Sequence, residues 1–333
     1  IHITGATSTH DAIVFGTDDD AARRKAEDEA IIAASITSEL GGVGPTIVVG
    51  GDWSEADLRH QAAHLLTQKL HNHGFNCVAS QVLILPEEWE QADDLLDAMR
   101  SIVPQLNWRG AYYPGVDDRQ RGALAAHPDA EVLTDGSAPI TLITDVDPNN
   151  ANEACFTTEF FGAVLSVVRL PGADTASYLD HAVSFANETL AGSLGANLIV
   201  HPATAAQDPE SVEQAIHDLR YGAIAVNTWV GVAFAMTRAT WGGFPGNPRN
   251  NIGSGNGIVH NALMLEGVER TVVTGTFAPF PRTLMQRVLH AEPLPVYYVT
   301  NKQAAVIGEL ATNRAVTGSF APLPRLVAAS LRA

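Results

Sequence analysis

The chain has 333 residues, is 46% hydrophobic, and carries 37 acidic against 20 basic residues for a formal charge of −17. This is a globular composition with apolar content for one large core or two ordinary ones, and its negative excess, without a dense Lys/Arg patch, excludes nucleic acid and anionic membranes as natural partners. Two cysteines make no disulfide framework and fit a reducing, cytoplasmic compartment, while the longest near-apolar stretch, 221–236, is broken by Asn227 and Thr228 and cannot span a bilayer.

The first predicted element, Ile1-His2-Ile3-Thr4-Gly5, reads as the end of a buried strand entering a turn. No initiator Met or signal peptide precedes it, so the chain is expected to start within a domain. Apolar runs of strand length follow at 46–49, 81–85, 140–144, 163–170, 198–201 and 223–227. Helices are predicted between them. Ser54 caps one that runs through Leu58, Ala62, Leu65, Leu66 and Leu70; a second opens at Pro86-Glu87-Glu88-Trp89, and others cover 174–187 and 209–221. The Gly-, Asn- and Pro-rich stretch 241–257 predicts a long loop. Beyond it, 296–299 is expected as an edge strand and 302–314 as a helix. The alternation argues for an α/β fold with a mostly parallel sheet covered on both faces.

Cys77, in His71-Asn72-His73-Gly74-Phe75-Asn76-Cys77, is the candidate nucleophile, since a thiolate attacks carbonyls well and Gly74 allows a close backbone approach. Cys155 lacks such neighbours and reads as structural. His71, His73 and Cys77 offer soft ligands, but no second cluster completes a metal site, so none is expected. Glu39, before Gly41, Gly42 and Pro45, is placed to act as a general base toward water. The glycines of 253–257 do not follow a strand, so a dinucleotide-loop reading is weak. Cys77 and Glu159 both precede strands, so the rule that sites lie beyond strand carboxyl ends does not locate them.

Five ordered motifs resemble the aldehyde dehydrogenase superfamily across roughly residues 1–257: Ile3-Thr4-Gly5-Ala6-Thr7, Glu39-Leu40-Gly41-Gly42, Gly74-Phe75-Asn76-Cys77, Glu159-Phe160-Phe161-Gly162, and Gly222-Ala223-Ile224-Ala225-Val226-Asn227 with the loop Gly242-Gly243-Phe244. The resemblance implies a partial Rossmann-like cofactor domain over 1–40, a thiol-nucleophile catalytic domain over 41–244, and a tail over 245–333 that returns to the cofactor domain or a partner subunit. It implies NAD or NADP as cofactor, an aldehyde substrate, and a homodimer or homotetramer. Cys77 would add to the carbonyl and Glu39 would hydrolyse the resulting thioester. Thr4, Gly5, Glu159 and Phe161 would hold the nicotinamide end, and Asn227, Gly243 and Phe244 would line the substrate loop. His10 stands where a glycine is usual, Phe75 where glutamine is common, Thr158 in place of an acid and Ala163 in place of a proline, which marks a divergent branch. The family's oxyanion asparagine and adenosine-ribose contacts would lie upstream of Ile1, so these residues are expected to be incomplete and inactive by themselves. An inactive scaffold or fragment, and a CoA-acylating relative that dispenses with Glu39, are the alternatives. Trp108, Tyr112, Tyr113, Trp229 and Trp241 are candidates for an apolar substrate tunnel, or equally for core or interface.

Overall fold

A computed structural model describes residues 1–108, 110–261, 264–285 and 293–333. Two short strands, β1 (His2–Gly5) and β2 (Thr37–Leu40), pair in parallel and stand apart from the main sheet. That sheet comprises β3 (Gly44–Val49), β4 (Ser80–Pro86), β5 (Glu131–Val132), β6 (Thr141–Ile143), β7 (Val164–Leu170), β8 (Gly195–Val200), β9 (Ala223–Val226) and, after the hairpin-like pair β10 (Trp241–Gly242) and β11 (Ile258–Val259), β12 (Thr271–Thr274). The spatial order is β12-β9-β8-β3-β4-β7-β6-β5, parallel throughout except for the β5 edge.

Alternation along the central strands divides the core. Ile47, Val49, Val82 and Ile84 face one apolar cluster with Tyr178, Leu179 and Ala182 of helix Thr175–Glu188, while Val48, Leu83 and Leu85 face another with Leu65, Leu66, Leu95 and Met99. Both sheet faces are therefore covered, which is why these strands are mainly apolar on both sides, with the few polar residues among them, such as Thr46 and Gln81, buried and hydrogen-bonded. Among the described residues no helix is long and apolar enough to cross a membrane.

All six predicted strands of the sheet form. Helix Glu55–Leu70 begins where Ser54 and Asp57 make a reciprocal capping box. Polar residues of this helix are buried too, in a chain: Gln61, His64 and Gln68 link side chain to side chain, and Thr46 Oγ1 donates to Gln68 Oε1 at 2.7 Å. Four expectations need correction. The strand at His2–Gly5 is largely exposed, because only β2 covers it. Pro86 ends β4, and Glu87-Glu88-Trp89 turn before the helix starts at Ala92, held by Trp89 Nε1 donating to the Gly51 carbonyl at 2.9 Å. Residues 296–299 are turns, whereas β12, beyond the expected boundary at 244, completes the sheet beside β9. The stretch 241–257 is mostly loop, but its first two residues form β10.

The register between β3 and β4 skips one residue: Gly44 pairs Ser80 and Pro45 pairs Val82, which bulges Gln81 out of the ladder. Its buried amide turns toward two loops at once. Nε2 donates to the Gly42 carbonyl at 2.7 Å and Oε1 accepts from Phe160 N–H at 2.8 Å. Gln81→Leu would orphan a buried carbonyl and a buried N–H, so denaturant unfolding should show a loss of about 2–4 kcal/mol; a loss below about 0.5 kcal/mol would mean the amide is not a clamp. Burial likewise pushes the His64 imidazole down to about 3. The unfolded chain takes up a proton that the fold refuses, so stability should fall as pH drops below 6.5, by about 2 kcal/mol at pH 5 from this residue alone. A pH series of melts should show that acid limb flattened in His64→Gln.

Candidate active site

Cys77 is reached through a strained turn. After Leu70 the backbone takes three successive left-handed residues, Asn72 (φ 52°), His73 (φ 60°) and Gly74 (φ 79°). Gly74 is required there, since a Cβ would overlap the carbonyl of Gly162. The turn delivers Cys77, half-buried, to the amino end of β4, packed on the apolar cluster of Val78, Leu194, Trp229 and Trp241.

Glu39 lies in β2 and is buried. Trp241 Nε1–H donates to its Oε1 at 2.9 Å. The glycine-rich 253–257 segment is the clasp on this strand: Asn256 N–H and Gly257 N–H donate to the Ser38 carbonyl, Ser38 N–H donates to Asn256 Oδ1, and Leu40 N–H donates to the Ser254 carbonyl. Gly255 sits against the Ser38 carbonyl at φ 103°, where a Cβ would collide. These glycines therefore serve to hold Glu39, and form no phosphate loop.

Glu159 enters from the amino side of β7. Its carboxylate lies against Gly41, where any Cβ would overlap it, so the second glycine motif lets the two acidic segments meet. Arg119 holds the segment by donating to the carbonyls of Phe160 at 2.6 Å and Phe161 at 3.2 Å. Phe161 itself is held at φ 43°. Glu39, Cys77 and Glu159 thus converge at the amino ends of β3, β4 and β7, and Gln81 ties the loops that carry both acids.

The electrostatics follow. Burial, then Glu39, then Glu159, push the Cys77 thiol up to about 12, against the opposing pull of its own N–H. Burial pushes Glu159 up to about 7, opposed by Lys69 and Arg119. Lys69 is buried with no hydrogen-bond partner for Nζ among the described residues, and desolvation brings it down to about 7 while Glu159 pulls it upward. Sequence reasoning missed Lys69, Gln81 and Arg119. A lysine at helical spacing from the apolar Leu65 and Leu66 was the available signal for the first.

The other expected residues are placed unequally. Thr4 pairs Glu39 across β1 and β2, with Gly5 beside Leu40, both exposed. Gly243 and Phe244 border the Glu39 clasp: Gly243 packs on Ser254, and Phe244 N–H donates to the Ser193 carbonyl at 3.0 Å. Asn227 is not brought to the acids. It follows β9, its Oδ1 accepts from Val200 N–H at 2.9 Å, and the register sets Val226 level with Ile47 and Ile84, toward the opposite end of the sheet from Cys77. Among the aromatic residues, Trp229 and Trp241 are core, whereas Tyr112 meets Phe75 edge-on and Tyr113 lies tilted against it, with ring centroids 4.9 and 5.5 Å away, beside Phe161 and His73. His71 instead stacks on Trp229.

The sequence profile of the Aldehyde dehydrogenase family matches residues 6–257. No curated protein sequence matches the chain. Solved structures similar to it include an NADP-dependent glyceraldehyde-3-phosphate dehydrogenase from Bacillus halodurans complexed with NADP (19% identity, TM-score 0.56, covering 78% of this chain and 48% of that one). An NAD-dependent aldehyde dehydrogenase from Sinorhizobium meliloti is similar at 20% identity and TM-score 0.57, over 79% of this chain and 48% of that one. Aldehyde dehydrogenase C from Pseudomonas syringae, with NAD+ and octanal, is similar at 21% identity and TM-score 0.54, over 78% and 49%. The chain thus spans about half the length of the structures it matches, and their likeness shows a shared fold. With a profile match over three-quarters of its length and an α/β fold of mostly parallel strands, this chain belongs to the aldehyde dehydrogenase family.

Proposed function

We propose that the protein oxidises an aldehyde to a carboxylate with NAD or NADP, using Cys77 as nucleophile and Glu39 as general base. The observation that carries this is the convergence of a thiol and two buried or half-buried carboxylates from three separate segments at one end of the sheet. Residues 1–40 would belong to the cofactor domain, and the sheet unit from 41 onward, extended by β12, to the catalytic domain. Exposed apolar side chains at Val316, Phe320, Val327 and Leu331 support a tail that packs on another surface, as in a homodimer or homotetramer.

The residues present fit the nicotinamide end of such a cofactor. Glu159 is half-buried, no hydrogen bond holds its carboxylate among the described residues, and Gly41 lets that carboxylate lie against the Glu39 segment, so its oxygens are left to accept from ribose hydroxyls. Thr4, Gly5 and Phe161 would complete that side. When bound there, the cofactor supplies a two-electron acceptor beside Cys77.

Cys77 Sγ forms a bond to the carbonyl carbon, and the thiol proton leaves to Glu39 or solvent. The Cys77 backbone N–H would donate to the developing oxyanion. Cys77 Sγ would then keep the acyl group as a thioester, a bound nicotinamide supplying the acceptor for the adduct's hydrogen and its electron pair. Glu39, aimed by Trp241, removes a proton from water as the water oxygen attacks the thioester carbon, which releases the carboxylate and restores the thiol. The Tyr112, Tyr113 and Phe75 wall supplies an apolar flank for the substrate. The scaffold alternative draws on one observation, the Cys77 thiol held near 12.

The purified full-length gene product assayed with an aldehyde panel and either nicotinamide cofactor should reduce the cofactor; Cys77→Ala should abolish turnover, and Glu39→Gln should lower it about 10²–10⁴-fold. Turnover equal in Cys77→Ala would sink the mechanism. Because Glu159 ionises near 7, cofactor affinity should strengthen several-fold between pH 6 and 8, with the slope absent in Glu159→Gln. The same variant removes a charge that opposes the thiolate, so iodoacetamide should alkylate its Cys77 faster than in the unaltered protein; a slower rate would contradict the electrostatics.

A further inference from the structure

A second constellation lies behind the Glu159 segment. His127 Nε2 is 3.1 Å from Glu153 Oε1 and 3.9 Å from Cys155 Sγ, and the three ligand atoms all lie within 4.8 Å of one another. We propose that His127, Glu153 and Cys155 bind a divalent transition-metal ion, with zinc the best match to the donor set.

Hydrogen-bond geometry supports an ion at this place. His127 Nδ1 is 2.9 Å from the Ala123 carbonyl, which can only accept, so the ring proton sits on Nδ1. Nε2 then faces a carboxylate oxygen at hydrogen-bond distance. In the neutral ring that is lone pair against lone pair, and a cation must stand between them: either a second ring proton or a metal. The sulfur favours the metal, because Cys155 Sγ joins Glu153 Oε1 and His127 Nε2 within 4.8 Å of one another, and an ion there would replace the thiol proton that otherwise bonds the Glu153 carboxylate and use all three donors. Imidazole nitrogen, thiolate and carboxylate suit zinc, and bonds of about 2.0–2.3 Å at tetrahedral angles place ligand atoms about 3.3–3.6 Å apart. The observed 3.1 and 3.9 Å bracket that spacing. Ala123 orients the histidine, and Asn150 Nδ2 donates to Glu153 Oε2 at 3.4 Å, as groups behind metal ligands do. Binding replaces the thiol proton by the metal and releases it to solvent.

The placement gives the site a purpose. His127 follows helix Val116–Ala126, whose Arg119 grips the carbonyls of Phe160 and Phe161, and Cys155 lies in helix Ala154–Thr157, which leads directly into Glu159. A metal bound here would staple both ends of the segment that presents Glu159. The inference does not depend on the catalytic reading.

The test is metal content of the intact protein by mass spectrometry, followed by Co2+ titration after chelator stripping. Near one zinc per chain is expected, falling at least tenfold in His127→Gln. Cobalt should give visible d–d bands and a near-ultraviolet thiolate band that disappears in Cys155→Ser and persists in Cys77→Ser. Fewer than one-tenth equivalent of metal in the unaltered protein, together with no cobalt band and no melting shift on adding Zn2+, would overturn the proposal. A thiolate band lost in Cys77→Ser but kept in Cys155→Ser would overturn it too, by placing the ion at the other cysteine.

Discussion

The separation of thiol and carboxylates is set by backbone, and the Gln81 amide holds that backbone together. One skipped residue in the β3–β4 register frees this side chain to reach the Gly42 carbonyl and the Phe160 N–H, and so joins the segments bearing Glu39 and Glu159 immediately after the strand entry that follows Cys77. Neither acidic segment belongs to a strand of the main sheet. Without the bridge each would be positioned only by loop packing. The glycines around them serve the same end: Gly41 admits the Glu159 carboxylate, Gly74 admits the Gly162 carbonyl, and Gly255 admits the Ser38 carbonyl.

Bringing acids together around a thiol has an electrostatic consequence. Glu39 and Glu159 both oppose ionisation of Cys77, and Glu39 opposes that of Glu159, in a site already dried by burial. Lys69 and Arg119 offset part of this from beneath, which explains a buried lysine that has no hydrogen-bond partner among the described residues. The arrangement favours a thiol at rest that ionises only as its proton is taken or as positive charge arrives. Trp241 adds a fixed donor to Glu39, which aims one carboxylate oxygen and leaves the other available.

Much of the fold was legible because it depends on short-range pattern. Apolar runs at 46–49, 81–85 and 163–170 are strands because both of their faces are covered, and Ser54 with Asp57 marks a helix start by local chemistry alone. What could not be read depends on contacts distant in sequence. The exposure of His2–Gly5 reflects a two-stranded sheet with nothing across it; β12 joins the sheet only because β9 offers an edge; and residues 296–299 turn despite strand-like composition. In the site, Cys77, Glu39 and Glu159 were recognisable by their order and adjoining glycines. Gln81 and Arg119 were not, since a glutamine in an apolar strand and an arginine on a helix carry no signal until the loops they grip are folded around them. Asn227 was misleading for the opposite reason: its motif is legible, but its amide is spent on the Val200 N–H at the far end of β9.

The central claim is that Cys77 and Glu39 act in sequence on one carbon. The most direct measurement is peptide-resolved mass spectrometry of Glu39→Gln protein quenched after mixing with an aldehyde and a nicotinamide cofactor. The account predicts that an acyl group, two hydrogens lighter than the aldehyde adduct, accumulates on the Cys77 peptide because its hydrolysis is blocked. An acyl group on Cys155, or cofactor reduction with no acyl group on Cys77, would contradict it.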